Sequence, residues 1–136
     1  MPIDTKSGLV SSQYNLGYMY DSGHCASQNY REAEKWYRKA AEQGHAGAQN
    51  NLGNMYWHGK GHLSKNDNEA VKWYRLAAHQ GDRNGQFNFG KTLHYGRGIN
   101  QDLTQAIEWY RKAAAQGLLQ AQEQLQIIEQ QFNRRY

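Results

Sequence analysis

The chain has 136 residues, the size of one domain, and its 16 Lys and Arg outnumber 12 Asp and Glu for a formal net charge of +4. That balance permits an acidic or nucleic-acid partner without demanding one. Only 38% of residues are hydrophobic but 12% are aromatic, with 10 Tyr and 4 Trp, which excludes a disordered polar chain and assigns burial to aromatic and alanine packing. No stretch approaches the roughly 18 apolar residues of a membrane span, and a single cysteine, Cys25, excludes an intramolecular disulfide.

Taken in chain order, the first predicted helix carries Leu16, Gly17, Met19 and Tyr20 and ends near Gly23. The second carries Ala33, Trp36, Tyr37, Ala40 and Ala41 and ends near Gly44. On its outer side Arg31, Lys35, Arg38 and Lys39 alternate with Glu32, Glu34 and Glu42, a solvated face with i, i+4 pairs. The third helix places Ala46, Ala48, Leu52, Met55 and Tyr56 on one stripe; Gly59 and Gly61 break it, and Asn66 and Asp67 offer caps for a fourth. That fourth helix sets Ala70, Trp73, Tyr74, Ala77 and Ala78 at i, i+3, i+4, i+7 and i+8 before Gly81. Phe89, Gly90 and Leu93, then Gly96 and Gly98, then Ala106, Trp109, Tyr110, Ala113, Ala114 and Gly117 repeat the grammar a third time. The segment Leu119 to Phe132 reads as one more helix of the first kind, with Gln126 where Gly17, Gly53 and Gly90 stand, and caps the array.

The hexapeptide at Trp36 to Ala41 returns at Trp73 to Ala78 and at Trp109 to Ala114, so the chain is one helix pair, A then B, copied in tandem with a period of about 36 residues. The predicted units are residues 9–44, 45–81 and 82–117, followed by a capping helix over 118–136. A glycine inside helix A costs roughly 0.8–1 kcal/mol relative to alanine. Its recurrence at Gly17, Gly53 and Gly90 therefore predicts close approach of a neighbouring helix, with Trp and Tyr filling the space between pairs. Gly8 aligns with the glycines that close helix B, which suggests that the chain begins where an earlier unit would have ended; either the protein starts there or upstream sequence, a signal peptide among the options, has been removed.

The pattern at Ala48, Gln49, Leu52, Gly53, Tyr56, Gly59, Gly61, Ala70, Trp73, Tyr74, Ala77, Ala78, Gln80 and Gly81 resembles the Sel-1-like repeat family, a relative of tetratricopeptide repeats, over nearly the whole chain. The resemblance implies an all-α fold, an α/α solenoid in which antiparallel helix pairs form a right-handed superhelix, used as a protein-interaction scaffold. Cys25 stands for the second loop glycine in the first copy, Leu93 for the helix A tyrosine and Gly85 for the helix A alanine in the third. These departures are expected to loosen single units. The cysteine-rich exported branch of the family staples its repeats with disulfides, and this chain cannot.

In a stacked solenoid of the tetratricopeptide kind, the helix A face beside the core stripe lines a concave groove. Here that face varies between copies, which is what a partner-reading surface would show: Tyr14, Tyr18 and Asp21, then Asn50, Asn54, Trp57 and His58, then Phe87, Lys91 and His94. Tyr14, Tyr18, Trp57 and Phe87 would be the aromatic anchors; the competing reading is that Tyr14 and Phe87 pack on an adjacent helix.

Catalytic grammar is thin. His58 and His62 straddle two glycines, and no His-Glu-x-x-His or cysteine pair completes a metal site. The other histidines, His24, His45, His79 and His94, are scattered; Ser11, His24 and Asp21 could be assembled into a triad only on paper. The expectation is therefore a monomeric, non-enzymatic interaction module with no cofactor or metal, whose partner is another protein or peptide rather than nucleic acid. The rivals are an exported cell-envelope or secreted protein acting on host factors or cell-wall fragments, and an RNA-binding module.

Overall fold

The computed structural model describes residues 5–61 and 63–135, and among them the chain forms seven α-helices and no strand. They are α1 (Thr5–Ser22), α2 (Tyr30–Glu42), α3 (Ala46–His58), α4 (Asp67–His79), α5 (Arg83–Tyr95), α6 (Leu103–Ala115) and α7 (Leu119–Arg135). The closest packing is within the pairs α1/α2, α3/α4 and α5/α6; successive pairs stack through α2/α3 and α4/α5, and α7 lies on α6. This is the α/α solenoid expected of the sequence. The A helices α3 and α5 touch each other more extensively than any two B helices do, so the A side is the inner side of the curve.

The starts of the helices are written in single residues. Asn29, Asn66 and Asp102 hold extended backbone, and their side-chain oxygens accept from the N–H of Glu32, Glu69 and Gln105 at 3.0–3.1 Å, satisfying a donor that the first turn leaves free. The A helices α3 and α5 are capped differently, by His45 Nδ1 accepting from the Ala48 N–H at 3.0 Å and by Asp82 accepting from the Gly85 N–H at 2.8 Å. At the other end Gln43, Gln80 and Gln116 close the B helices and do a second job. Their amides donate to Gln13, Gln49 and Gln86 of the paired A helix at 2.7–2.8 Å. Gln49 in turn donates to the Ala41 carbonyl and Gln116 to the Gly81 carbonyl of the preceding unit. One glutamine clip thus ties each pair, and in the second and third pairs a member of the clip also fastens it to the one before.

Gly17, Gly53 and Gly90 sit under the rings of Tyr37, Tyr74 and Tyr110: a Cβ added at these positions would meet a ring carbon at 2.5, 2.7 and 2.9 Å. Close approach is confirmed, but the tyrosine fills space inside its own pair rather than between pairs. The tryptophans do bridge pairs. Trp109 packs edge-on against His79 of the previous helix B and against Phe89. Trp73 and Trp109 are buried, whereas Trp36 is only partly so, its ring flanked by the ammonium groups of Lys35 and Lys39, because no described helix B precedes it.

Two expectations change, and Cys25 takes the glycine-like loop position that the alignment of the copies gave it. Gly8 lies inside α1 without the positive φ of Gly44, Gly81 and Gly117, because Thr5, Lys6 and Ser7 continue the helix instead of reversing the chain. Gly85 tightens its unit rather than loosening it: a Cβ there would meet Ala77 Cβ at 2.6 Å, so α5 lies close against α4. Cys25 adopts φ +65°, as Gly61 and Gly98 do at +68° and +73°. Those glycines abut Tyr30 and Asp67 of the preceding helix B, whereas Cys25, which no described helix B precedes, is exposed.

Candidate partner-binding groove

Each buried helix B tyrosine must satisfy a hydroxyl, and helix A supplies the partner. Tyr37 donates to Asp21 at 3.0 Å, Tyr74 donates to Asn54 at 2.6 Å, and Tyr110 meets His94 Nδ1 at 3.1 Å. Burial raises the pKa of all three phenols, with Asp21 adding to the effect at Tyr37, so they stay protonated donors. Three of the residues expected to read a partner therefore latch the helix pair from within.

Beside these latches the inner face opens into a recess of about 380 Å³ between α3 and α5, with Leu118 and Gln120 also in its lining. Of the sequence-derived residues, Asn50, Asn54, His58 and Phe87 line it. The remainder of the wall is Asn51, Asn84, Asn88 and Lys60, which the spacing argument missed. A signal was present, since Asn15, Asn51 and Asn88 recur at the repeat period. They stand one residue beyond the stripe that was followed. Asn88 Nδ2 donates to Asn50 at 2.8 Å and reaches Asn54 at 3.5 Å, joining the walls across the recess.

Other positions are corrected. Trp57 is only 7% exposed: it packs edge-on against Tyr74, and the Arg97 guanidinium covers its face at 3.5 Å from the ring centroid, so it belongs to the core. Tyr14 stacks on His45 at 4.5 Å and lies 5.9 Å from Tyr37, packing against the next unit. Phe87 does both jobs, touching Tyr110 at 5.6 Å while lining the recess. Tyr18 is 52% exposed on α1, away from the recess residues. His94 stacks on Tyr95.

The field around the recess is positive. His58 is held below the usual histidine pKa by partial burial first and then by Lys60, Lys91, Arg97 and Lys65. Lys91, half-buried beside the Phe87 ring, is also held below its ordinary value, by burial and then by Arg97. Counter-charges are few: Asp21 lies 4.0 Å from Lys60, and Asp67 pairs with Arg97 at 3.0 Å. No group of three or more His, Cys, Asp and Glu among the described residues could hold a metal ion, and His62, weighed above with His58, lies outside them.

The Sel1 repeat family model matches residues 10–45, 46–82 and 84–118, three consecutive copies over most of the chain. The chain belongs to the Sel1 repeat family. This Sel1 array is similar to a Sel1 repeat protein from Oxalobacter formigenes, with 41% identity, a TM-score of 0.79, and 89% of this chain and 90% of that one covered. It is also similar to a protective antigen of uropathogenic Escherichia coli strains that displays the same repeat fold, with 42% identity and a TM-score of 0.82 over 88% of this chain and 26% of that one. Among curated proteins it is 40% identical over 48 residues to an exopolysaccharide production negative regulator of Rhizobium meliloti (strain 1021), covering 35% of this chain and 18% of the relative's length. Sel1 repeats generally serve as non-catalytic protein-interaction scaffolds. No helix of this array, among the described residues, is long and apolar enough to cross a membrane.

Proposed function

We propose that this Sel1 array is an adaptor that makes and breaks no bond and holds a segment of a partner protein against the inner faces of α3 and α5. The observation that supports this reading is the recess lined by Asn51, Asn54, Asn84 and Asn88, where side-chain amides and a partly exposed aromatic ring, Phe87, are available to an extended chain. Amides recognise backbone groups, and a ring supplies contact area at low entropic cost.

The test is a library of displayed random peptides panned against the whole chain, followed by measurement of the selected peptides on Asn84→Trp. Asn84 is exposed and lines the recess, so the indole fills the space without disturbing the core. The expected result is at least a tenfold loss of affinity, about 1.4 kcal/mol, at unchanged melting temperature. Arg31→Ala, on the exposed outer side of α2, should leave binding as it is. If every selected peptide binds Asn84→Trp as well as the parent, the recess is not where this array meets its partner.

A further inference from the structure

Which hydrogen-bonding groups the recess has left over decides what it can hold. The Asn50 carbonyl oxygen is engaged by Asn88 Nδ2, and that of Asn54 by the Tyr74 hydroxyl and by Asn88. Asn54 accepts two bonds internally and offers the recess its NH₂ donors, whereas Asn50 is buried. The cations beside them add donors of the same kind: the Lys60 ammonium on the wall, and Lys91 next to Phe87. Asn51, Asn84, Asn88 and Gln120 bring both halves of an amide to the lining, and among the side chains lining the recess there is no carboxylate.

The charges facing this region are also unequal. Lys60 has Asp21 at 4.0 Å and Arg97 has Asp67 at 3.0 Å, but Lys91 has no carboxylate within ion-pairing distance among the described residues. A half-buried, unpaired ammonium has lost part of its hydration without gaining a counter-ion, and a ligand carboxylate would supply it. The depressed basicity of Lys91 agrees with that state.

Resting on the reading that a partner segment lies in this recess, we propose that the segment is an acidic peptide, with one or more Asp or Glu carboxylates received by Lys91 and Lys60 and by the Asn54 amide. Complementarity of charge carries the assignment: a lining with an ammonium and no carboxylate, beside an unpaired Lys91, fits a ligand of negative charge. A basic or purely apolar segment would leave Lys91 and the amide donors unsatisfied.

The experiment uses the whole chain and three fluorescein-labelled probes of equal length: a decapeptide alternating aspartate and serine, its asparagine–serine counterpart, and a decamer of uridylate. The aspartate peptide should bind at least tenfold more tightly than the asparagine peptide. Lys91→Glu should weaken it tenfold or more, whereas Lys35→Glu, the same charge change on the outer face, should alter it less than twofold. Lys91→Met keeps the experiment decisive if the glutamate variant unfolds, because removing an unpaired ammonium should leave melting unchanged or higher while still weakening the aspartate peptide. If the asparagine peptide binds equally well and Asn84→Trp abolishes it, the acidic assignment fails and the groove reading survives. If the uridylate binds as tightly as the aspartate peptide and responds equally to Lys91→Glu, the site selects phosphate and the assignment is overturned. If no probe responds to Lys91, the assignment is overturned too, and peptides selected from the library then decide the groove reading on its own.

Discussion

The B helices and the A helices treat repetition differently. In α2, α4 and α6 one residue keeps one task through three copies: Tyr37, Tyr74 and Tyr110 are all fully buried, and each covers a glycine of its paired helix. In α1, α3 and α5 the task is kept while the residue changes, since Asp21, Asn54 and His94 hold the three hydroxyls in different chemical forms and at two different repeat positions. Repetition of a residue is therefore a dependable sign of packing in a solenoid. Variation is a weaker sign of binding, because an internal latch can wander along a helix as long as it still reaches its hydroxyl.

The sharpest way to break that contrast is to compare tryptophans. Trp73→Ala, on the repeated B stripe, and Trp57→Ala, on the varied A stripe, should each cost about 3–5 kcal/mol in urea unfolding, because both rings are buried. A Trp57 variant as stable as the parent would return that residue to the binding face. Next in size is Gly53→Leu. Helix propensity alone favours it by up to about 1 kcal/mol, but the new Cβ would stand 2.7 Å from the Tyr74 ring. A net loss of about 1–3 kcal/mol is expected, and a stabilised variant would show that Tyr74 does not cover the glycine.

Smaller effects test the latches. Tyr74→Phe removes the hydroxyl held by Asn54 and should cost about 1 kcal/mol; in the Asn54→Leu background the same change should cost less, as a double-mutant cycle would show. The smallest effect concerns His45, whose Nδ1 must stay unprotonated to accept from the Ala48 N–H. Burial holds its pKa below the usual value of about 6.5. The unfolded chain then takes up protons first as pH falls, so the cap's contribution is full above about pH 6.5 and is lost below it. Melting temperature should drop between pH 7 and 5, and His45→Asn, which needs no deprotonation to cap α3, should reduce that drop. An unchanged slope would show that His45 does not cap α3 in solution.

Much of the fold was legible because its signals are local. Asn66 announces a helix start three residues before the N–H that it binds, and the Trp-Tyr and Ala-Ala pairs fall on one stripe by helical geometry alone. The fixed glycine at position 53 even implied close approach, although not which ring would arrive. The groove was half legible. Trp57 looked like an anchor because nothing near it in sequence says that Arg97, from the loop after α5, will cover its face. Asn88 was overlooked for the converse reason: its meaning lies in Asn50, across the recess and a full unit away. Contacts made between copies are invisible to a reading that compares copies one at a time.

The glutamine clip has a consequence for how such a chain can grow. Gln43, Gln80 and Gln116 grip their paired helix in the same way, so each unit carries a complete fastening between its own two helices. A duplicated stretch of one period inserted after Gly81 would bring both halves of its own fastening with it. Length then becomes a property that duplication and deletion can change without redesigning the fastening inside a pair, and the inner face can lengthen while each unit that carries it stays the same.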